Sequence, residues 1–98
     1  MSKSLPVQLF KTAETSLENI LDYSLKNFGP EAKAKTKQIF SEAFDLLSAF
    51  PYSGPVAESF QFGTKKIRII TVHSYRIVYR PTEEAIYVYE ILSPGQNY

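Results

Sequence analysis

Lys65, Lys66, Arg68, Arg76 and Arg80 fall within residues 65–80, and no acid lies among them. Guanidinium and ammonium groups bind carboxylates and phosphates through charge-assisted hydrogen bonds, so this segment predicts a surface that meets a phosphate chain or an acidic partner. The spacing sharpens that expectation. Side chains two apart in a strand share a face, which points Arg76, Val78 and Arg80 one way and Tyr75, Ile77 and Tyr79 the other. A row of arginines on one side of a sheet, Arg68 included, is the predicted result. A plainer reading has Arg76 and Arg80 pairing across the strands with Glu83, Glu84 or Glu90, each pair contributing about 0.2–1 kcal/mol.

Other chemistries have little to work with. The chain has no cysteine and one histidine, which excludes disulfides, thiolate metal sites and a cysteine nucleophile, and fits a reducing cytosol. The carboxylates are scattered, so neither a metal site nor a cofactor is expected. A net charge of +1 argues against the strong non-specific attraction of a very basic domain for nucleic acid. The N-terminal stretch lacks a signal-peptide core, and no run approaches the ~18 apolar residues that span a bilayer. A cytoplasmic protein with no membrane segment is expected, and 98 residues suit a single domain over 1–98 with one core.

The cations must be positioned by the elements around them. LPVQLFK at residues 5–11 alternates and reads as a short strand, with Pro6 suited to an edge. Thr12, or Thr15 with Glu18, offers a helix cap, so a first helix is predicted to start between 12 and 15. Leu17, Ile20, Leu21, Ser24, Leu25 and Phe28 form its apolar stripe, and Gly29-Pro30 stops it. A second stripe follows, Thr36, Ile39, Phe40, Ala43, Leu46, Leu47 and Phe50, so the two helices must fold back as an antiparallel hairpin. A loop from Phe50 to Gly63 carries Tyr52, Phe60 and Phe62, expected to act as lids on the core.

KKIRIITV, SYRIVYRP and AIYVYEIL then read as three strands, turned at His73-Ser74 and at Thr82-Glu83-Glu84. The expected fold is α+β, in the order β-α-α-β-β-β, with the helical hairpin on one face of a small, mainly antiparallel four-stranded sheet. Strand parity assigns Ile67, Ile69, Ile77, Tyr79, Tyr87, Tyr89 and Ile91 to the side under the helices. The opposite side would carry Arg68, Ile70, Arg76, Val78, Arg80, Ile86, Val88 and Glu90. With Leu92, its aliphatic residues would leave an open patch for a partner to cover.

This element order, the string YRIVYR at residues 75–80, the Phe28-Gly29-Pro30 junction, and the IYVYEIL strand leading to Gly95 resemble the RelE/ParE superfamily of bacterial toxins, ParE-like members more than RelE-like ones. The resemblance covers nearly the whole chain. It implies the toxin of a type II toxin–antitoxin module, with a role in plasmid stabilisation or stress response. Such a toxin is neutralised by a cognate antitoxin whose acidic and apolar residues suit a surface of Lys65, Lys66, Arg68, Ile70, Arg76, Val78, Arg80, Val88 and Glu90. A homodimer is compatible with it.

Two activities divide that superfamily. RelE-like members cut mRNA on the ribosome by attack of a ribose 2′-hydroxyl on the adjacent phosphate, which needs a base, an acid and cations for the oxyanions. ParE-like members bind and inhibit DNA gyrase and need no catalytic set. For a ribonuclease the resemblance implies Arg76, Arg68 and Tyr98 as catalytic residues. The tail Ser93-Pro94-Gly95-Gln96-Asn97-Tyr98 lacks the basic residues that precede the tyrosine in RelE-like enzymes. His73 reads as a turn residue rather than a base, and Glu90 as a possible carboxylate base that the flanking arginines weaken as an acid, so no complete acid–base pair assembles. Gyrase binding without catalysis is therefore the leading expectation, with the ribosome-dependent mRNA endoribonuclease second and an inactive toxin-fold interaction module third.

Overall fold

A computed structural model describes residues 4–57 and 66–94. The elements are β1 (Val7–Leu9), α1 (Lys11–Phe28), α2 (Pro30–Ala49), β2 (Arg68–Val72), β3 (Tyr75–Pro81) and β4 (Ile86–Leu92). They form one sheet in the order β1-β4-β3-β2, in which β1 runs parallel to β4 and the other pairs are antiparallel. The α+β architecture expected from the sequence is the observed one.

The two helices are built on the same spacing. Ala13, Leu17, Ile20 and Ser24 line the inner face of α1, and Thr36, Phe40, Ala43 and Leu47 that of α2, each at successive steps of four, three and four. That stripe is what a helix lays against one partner. Small residues let the helices approach near their junction, where the Ser24 and Thr36 hydroxyls share a buried hydrogen bond of 3.1 Å. Thr36 also donates to the Ala32 carbonyl. The outer ends of the expected stripes stay wet, with Leu25, Phe28, Leu46 and Phe50 all exposed.

Gly29 makes the junction. Its φ of 91° and ψ of 177° lie in a region open essentially to glycine alone, and Pro30 behind it favours the extended ψ. The Gly29 N–H closes α1 on the Leu25 carbonyl at 3.0 Å, and its own carbonyl accepts from Lys33 in α2 at 3.2 Å. Proline at the first position of α2 wastes no donor.

The start of α1 differs from the expectation. The helix begins at Lys11, its N-cap is Phe10, and no side chain caps it. Thr12 and Thr15 therefore lie inside it. Tertiary contacts decide the boundary: the Phe10 N–H donates to Val88 in β4 at 2.9 Å, while its carbonyl takes the Glu14 N–H.

The main core lies between helices and sheet, with Phe40, Leu47, Ile77, Tyr79, Ile86, Val88 and Ile91 almost fully buried. Burial of side chains this size contributes about 1.5–3 kcal/mol each. A second, smaller cluster of Ile67, Val78 and Leu92, flanked by Ile69 and Tyr89, forms on the other face. Parity placed several of these wrongly, for two reasons. The His73-Ser74 turn has positive φ at both residues and sets Val72 opposite Tyr75, so Ile70 pairs with Ile77 and Arg68 with Tyr79. Even-numbered residues of β2 thus share the helix side with odd-numbered residues of β3, which turns Ile67 and Ile69 outward. In β4 the register shifts between Val78 and Tyr79, which face Glu90 and Val88. Tyr89 is the extra residue of a bulge, and a bulge inverts parity along the strand. Ile86 and Val88 consequently join Ile91 under the helices, and Tyr87 and Tyr89 do not.

Candidate functional site

The outer face of the sheet carries Arg76 and Arg80. Arg76 stands opposite Thr71 and Leu92, and Arg80 opposite Tyr87. Both are half-buried. Four residues along one strand separate them, about 13 Å at the usual rise.

Arg80 sits in an aromatic setting that sequence reading missed. Its Nε donates to the Tyr89 hydroxyl at 2.9 Å, and its guanidinium carbon lies 5.8 Å from the centre of the Tyr87 ring. Phe10, from the turn into α1, packs edge-on against both tyrosines, at 4.5 Å from Tyr89 and 6.0 Å from Tyr87. Tyr87 stands opposite Arg80, and Tyr89, two residues on, shares its side, while the bulge returns Ile91 beyond it to the helix side. The alternation YVY was visible in the sequence, but nothing in it reported the inserted residue. The expected cross-strand ion pairs do not hold Arg80. Glu90 instead accepts from the Ser16 hydroxyl of α1 at 2.5 Å and from the Ile91 N–H at 2.8 Å.

Arg68 is not part of this surface. As the cross-strand partner of Tyr79 it lies on the helix side of β2, so the expected row of three arginines on one face is corrected to two. Arg68 Nη1 donates to the Gly54 carbonyl at 2.7 Å, and its guanidinium lies 4.8 Å from the centre of the Tyr52 ring. Tyr52 is exposed and stacks on the arginine, where a lid on the core was expected. The Gly54 N–H donates to the Tyr79 hydroxyl at 2.9 Å. Burial pushes that phenol above its ordinary value of 10.0, against the opposing pull of the Gly54 N–H and the Arg68 charge. Residues 55–57 continue this contact by pairing with β2: Ala57 N–H to Ile67 carbonyl, Ile69 N–H to Pro55 carbonyl.

The open aliphatic patch is also corrected. Ile70 packs against the main core, Ile86 and Val88 are fully buried under the helices, and Val78 and Leu92 are 3% and 6% exposed in the second cluster. Lys66 is exposed. His73 is exposed in its turn, as a turn residue should be. Lys65, Phe60, Phe62, Gly95 and Tyr98 lie outside the described residues.

A cleft of about 530 Å³ opens between α1 and the ends of β3 and β4. Ser16, Asn19, Ile20, Tyr75, Ile91 and Ser93 are among the residues that line it. Among the described residues no group of His, Cys, Asp or Glu could hold a metal ion, and no helix is long and apolar enough to cross a membrane.

Comparison with known proteins bears on this geometry. The family model described as "ParE toxin of type II toxin-antitoxin system, parDE" matches residues 7–98. A solved chain described as "Chromosomal ParDE TA system from P. aeruginosa" is similar with a TM-score of 0.73 and 21% identity, over 95% of this chain and 99% of that one; at this identity the likeness shows a shared fold. No curated protein matches the chain by sequence. With nearly its whole length matched by the family model, the chain belongs to the ParE toxins of type II toxin–antitoxin systems.

Proposed function

We propose that this chain is held inactive by a cognate antitoxin and, once released, acts by binding DNA gyrase rather than by cutting RNA. The observation that supports this reading is the separation of the arginines. Cleavage by a 2′-hydroxyl needs a base, an acid and cations converging on one phosphate. Arg76 and Arg80 are instead spread along β3, Arg80 is braced by Tyr87 and Tyr89, and Arg68 is engaged on the other side of the sheet. Braced guanidiniums among tyrosines suit contact with a protein surface, where Arg and Tyr are enriched among the residues that carry binding energy. Arg76, Arg80 and Lys66 are the proposed contacts with antitoxin or target. The same reading makes the chain a single-domain cytoplasmic protein serving plasmid stabilisation or stress response.

The test is a supercoiling assay with purified gyrase and the full chain. Inhibition is expected, weakened at least about tenfold by Arg80→Ala and relieved by antitoxin. Normal supercoiling in excess protein would overturn the gyrase reading. Ribosome-dependent mRNA cuts that vanish in Arg76→Ala would put the endoribonuclease in its place.

A further inference from the structure

The guanidinium of Arg80 is held along one edge only. Its Nε donates to the Tyr89 hydroxyl at 2.9 Å, and its carbon lies 5.8 Å from the centre of the Tyr87 ring. A guanidinium offers a carboxylate two bidentate edges, Nε with one Nη or the two Nη together. The tyrosine takes the first. Neither Nη atom bonds to a described residue, and no carboxylate among those residues pairs with Arg80. Among the described residues no buried side-chain nitrogen or oxygen lacks a partner, so both Nη atoms of this half-buried side chain must reach solvent.

The neighbours of that edge are aromatic. Phe10, Tyr87 and Tyr89 pack edge-on as one cluster beside the arginine. Rings of this kind exclude water from an ion pair formed among them, and a pair sheltered from water is stronger than one in bulk solvent. The bond at Nε also orders the side chain before contact, so less entropy is lost on binding.

We propose that Arg80 grips one aspartate or glutamate carboxylate of the target protein end-on, through Nη1 and Nη2, and that Tyr89 is the positioning residue that presents this edge. The inference rests on the gyrase-binding reading above and names the chemistry that the arginine recognises there. Shape and charge select the occupant. A planar carboxylate matches two parallel N–H groups. A nucleic-acid strand calls for a row of cations along its phosphates, whereas Arg76, the other arginine on this face of β3, stands about 13 Å away and the net charge of the chain is +1.

Binding of the full chain to purified gyrase, measured by surface plasmon resonance with and without DNA, tests the assignment. Tyr89→Phe keeps the ring and removes the hydroxyl, and should weaken binding about three- to tenfold. Arg80→Lys keeps the charge without the fork and should lose at least about tenfold, as much as Arg80→Ala; it carries the test by itself if Tyr89→Phe folds poorly. In an Arg80→Ala background, Tyr89→Phe should cause no further loss, because the tyrosine acts through the arginine. A purely structural role would weaken binding equally in both backgrounds. Binding is expected to persist without DNA. An Arg80→Lys or Tyr89→Phe chain that binds as the unaltered one does, or a Tyr89→Phe loss undiminished in the Arg80→Ala background, overturns the carboxylate grip and leaves the gyrase reading standing. Binding only in the presence of DNA would assign the fork to a phosphate and overturn it as well. Failure of the unaltered chain to bind gyrase under either condition overturns both.

Discussion

Replacing Gly54 by alanine probes how the loop after α2 is tied to the sheet that bears the arginines. A Cβ at this position would stand 2.7 Å from the Ile69 carbonyl oxygen, 2.9 Å from its carbon and 3.0 Å from the Tyr79 hydroxyl. Two of these three atoms are strand backbone, which cannot swing aside, so the loop must move instead. Movement breaks both bonds of the buried Gly54 peptide groups. The N–H to Tyr79 is a neutral bond of about 0.5–1.5 kcal/mol net, and the Arg68-to-carbonyl bond is charge-assisted at about 1.5–3 kcal/mol. The expected loss is about 2–4 kcal/mol, or roughly 10–25 °C in Tm for a chain of this length. Urea unfolding followed by circular dichroism reads it directly. Tyr79→Phe leaves the Gly54 N–H buried without its acceptor and should cost about 1–3 kcal/mol by itself. Since the two changes break one shared bond, the double variant should lose less than the sum by about 0.5 kcal/mol or more. A Gly54→Ala variant within 0.5 kcal/mol of the unaltered protein, or strict additivity in the cycle, would refute the clamp.

Three further outcomes follow from the backbone and from the buried phenol. Gly29→Ala meets no steric obstacle, as nothing lies within 4 Å of the added Cβ, yet it should cost about 1–3 kcal/mol because of its φ, read as a lower urea midpoint with an unchanged slope. Conversely, His73→Asn with Ser74→Gly places the residues favoured by a turn with φ of 49° and 74° and should stabilise the fold by about 0.5–1 kcal/mol. For pH, Tyr79 has its folded pKa raised above the unfolded value by burial. Above pH 10 the unfolded chain therefore binds fewer protons than the folded one. Its contribution is complete below pH 10 and is lost as pH rises through the folded pKa; alkaline melts of Tyr79→Phe should show a shallower decline than those of the unaltered chain.

The arginine-bearing face illustrates how far a pattern can be read. Arg76 and Arg80 share a side because they lie in one uninterrupted strand, where alternation is local. Arg68 lies in the next strand, so its side depends on the hairpin between them. The two-residue turn at His73-Ser74 was legible, and counting back from it places Arg68 opposite Tyr79, on the helix side. Phe10, Tyr87 and Tyr89 came together around Arg80 through a contact between distant segments, for which the chain carries no local signal.

What the amino-acid order determined by itself was the succession β-α-α-β-β-β, the break at Gly29-Pro30, the hairpin turn and the family. Each depends on interactions within a few residues: helical periodicity, glycine's access to positive φ, and strand alternation. Only the tertiary structure decided which side of the sheet the residues of β4 occupy on either side of Tyr89, and where α1 begins. One inserted residue at Tyr89 inverts the facing of a strand, and the Phe10 bond to Val88 replaces a side-chain cap. Such choices are made by packing and hydrogen-bond partners brought from elsewhere in the chain, and local preferences of a few tenths of a kcal/mol to about 1 kcal/mol per residue yield to them.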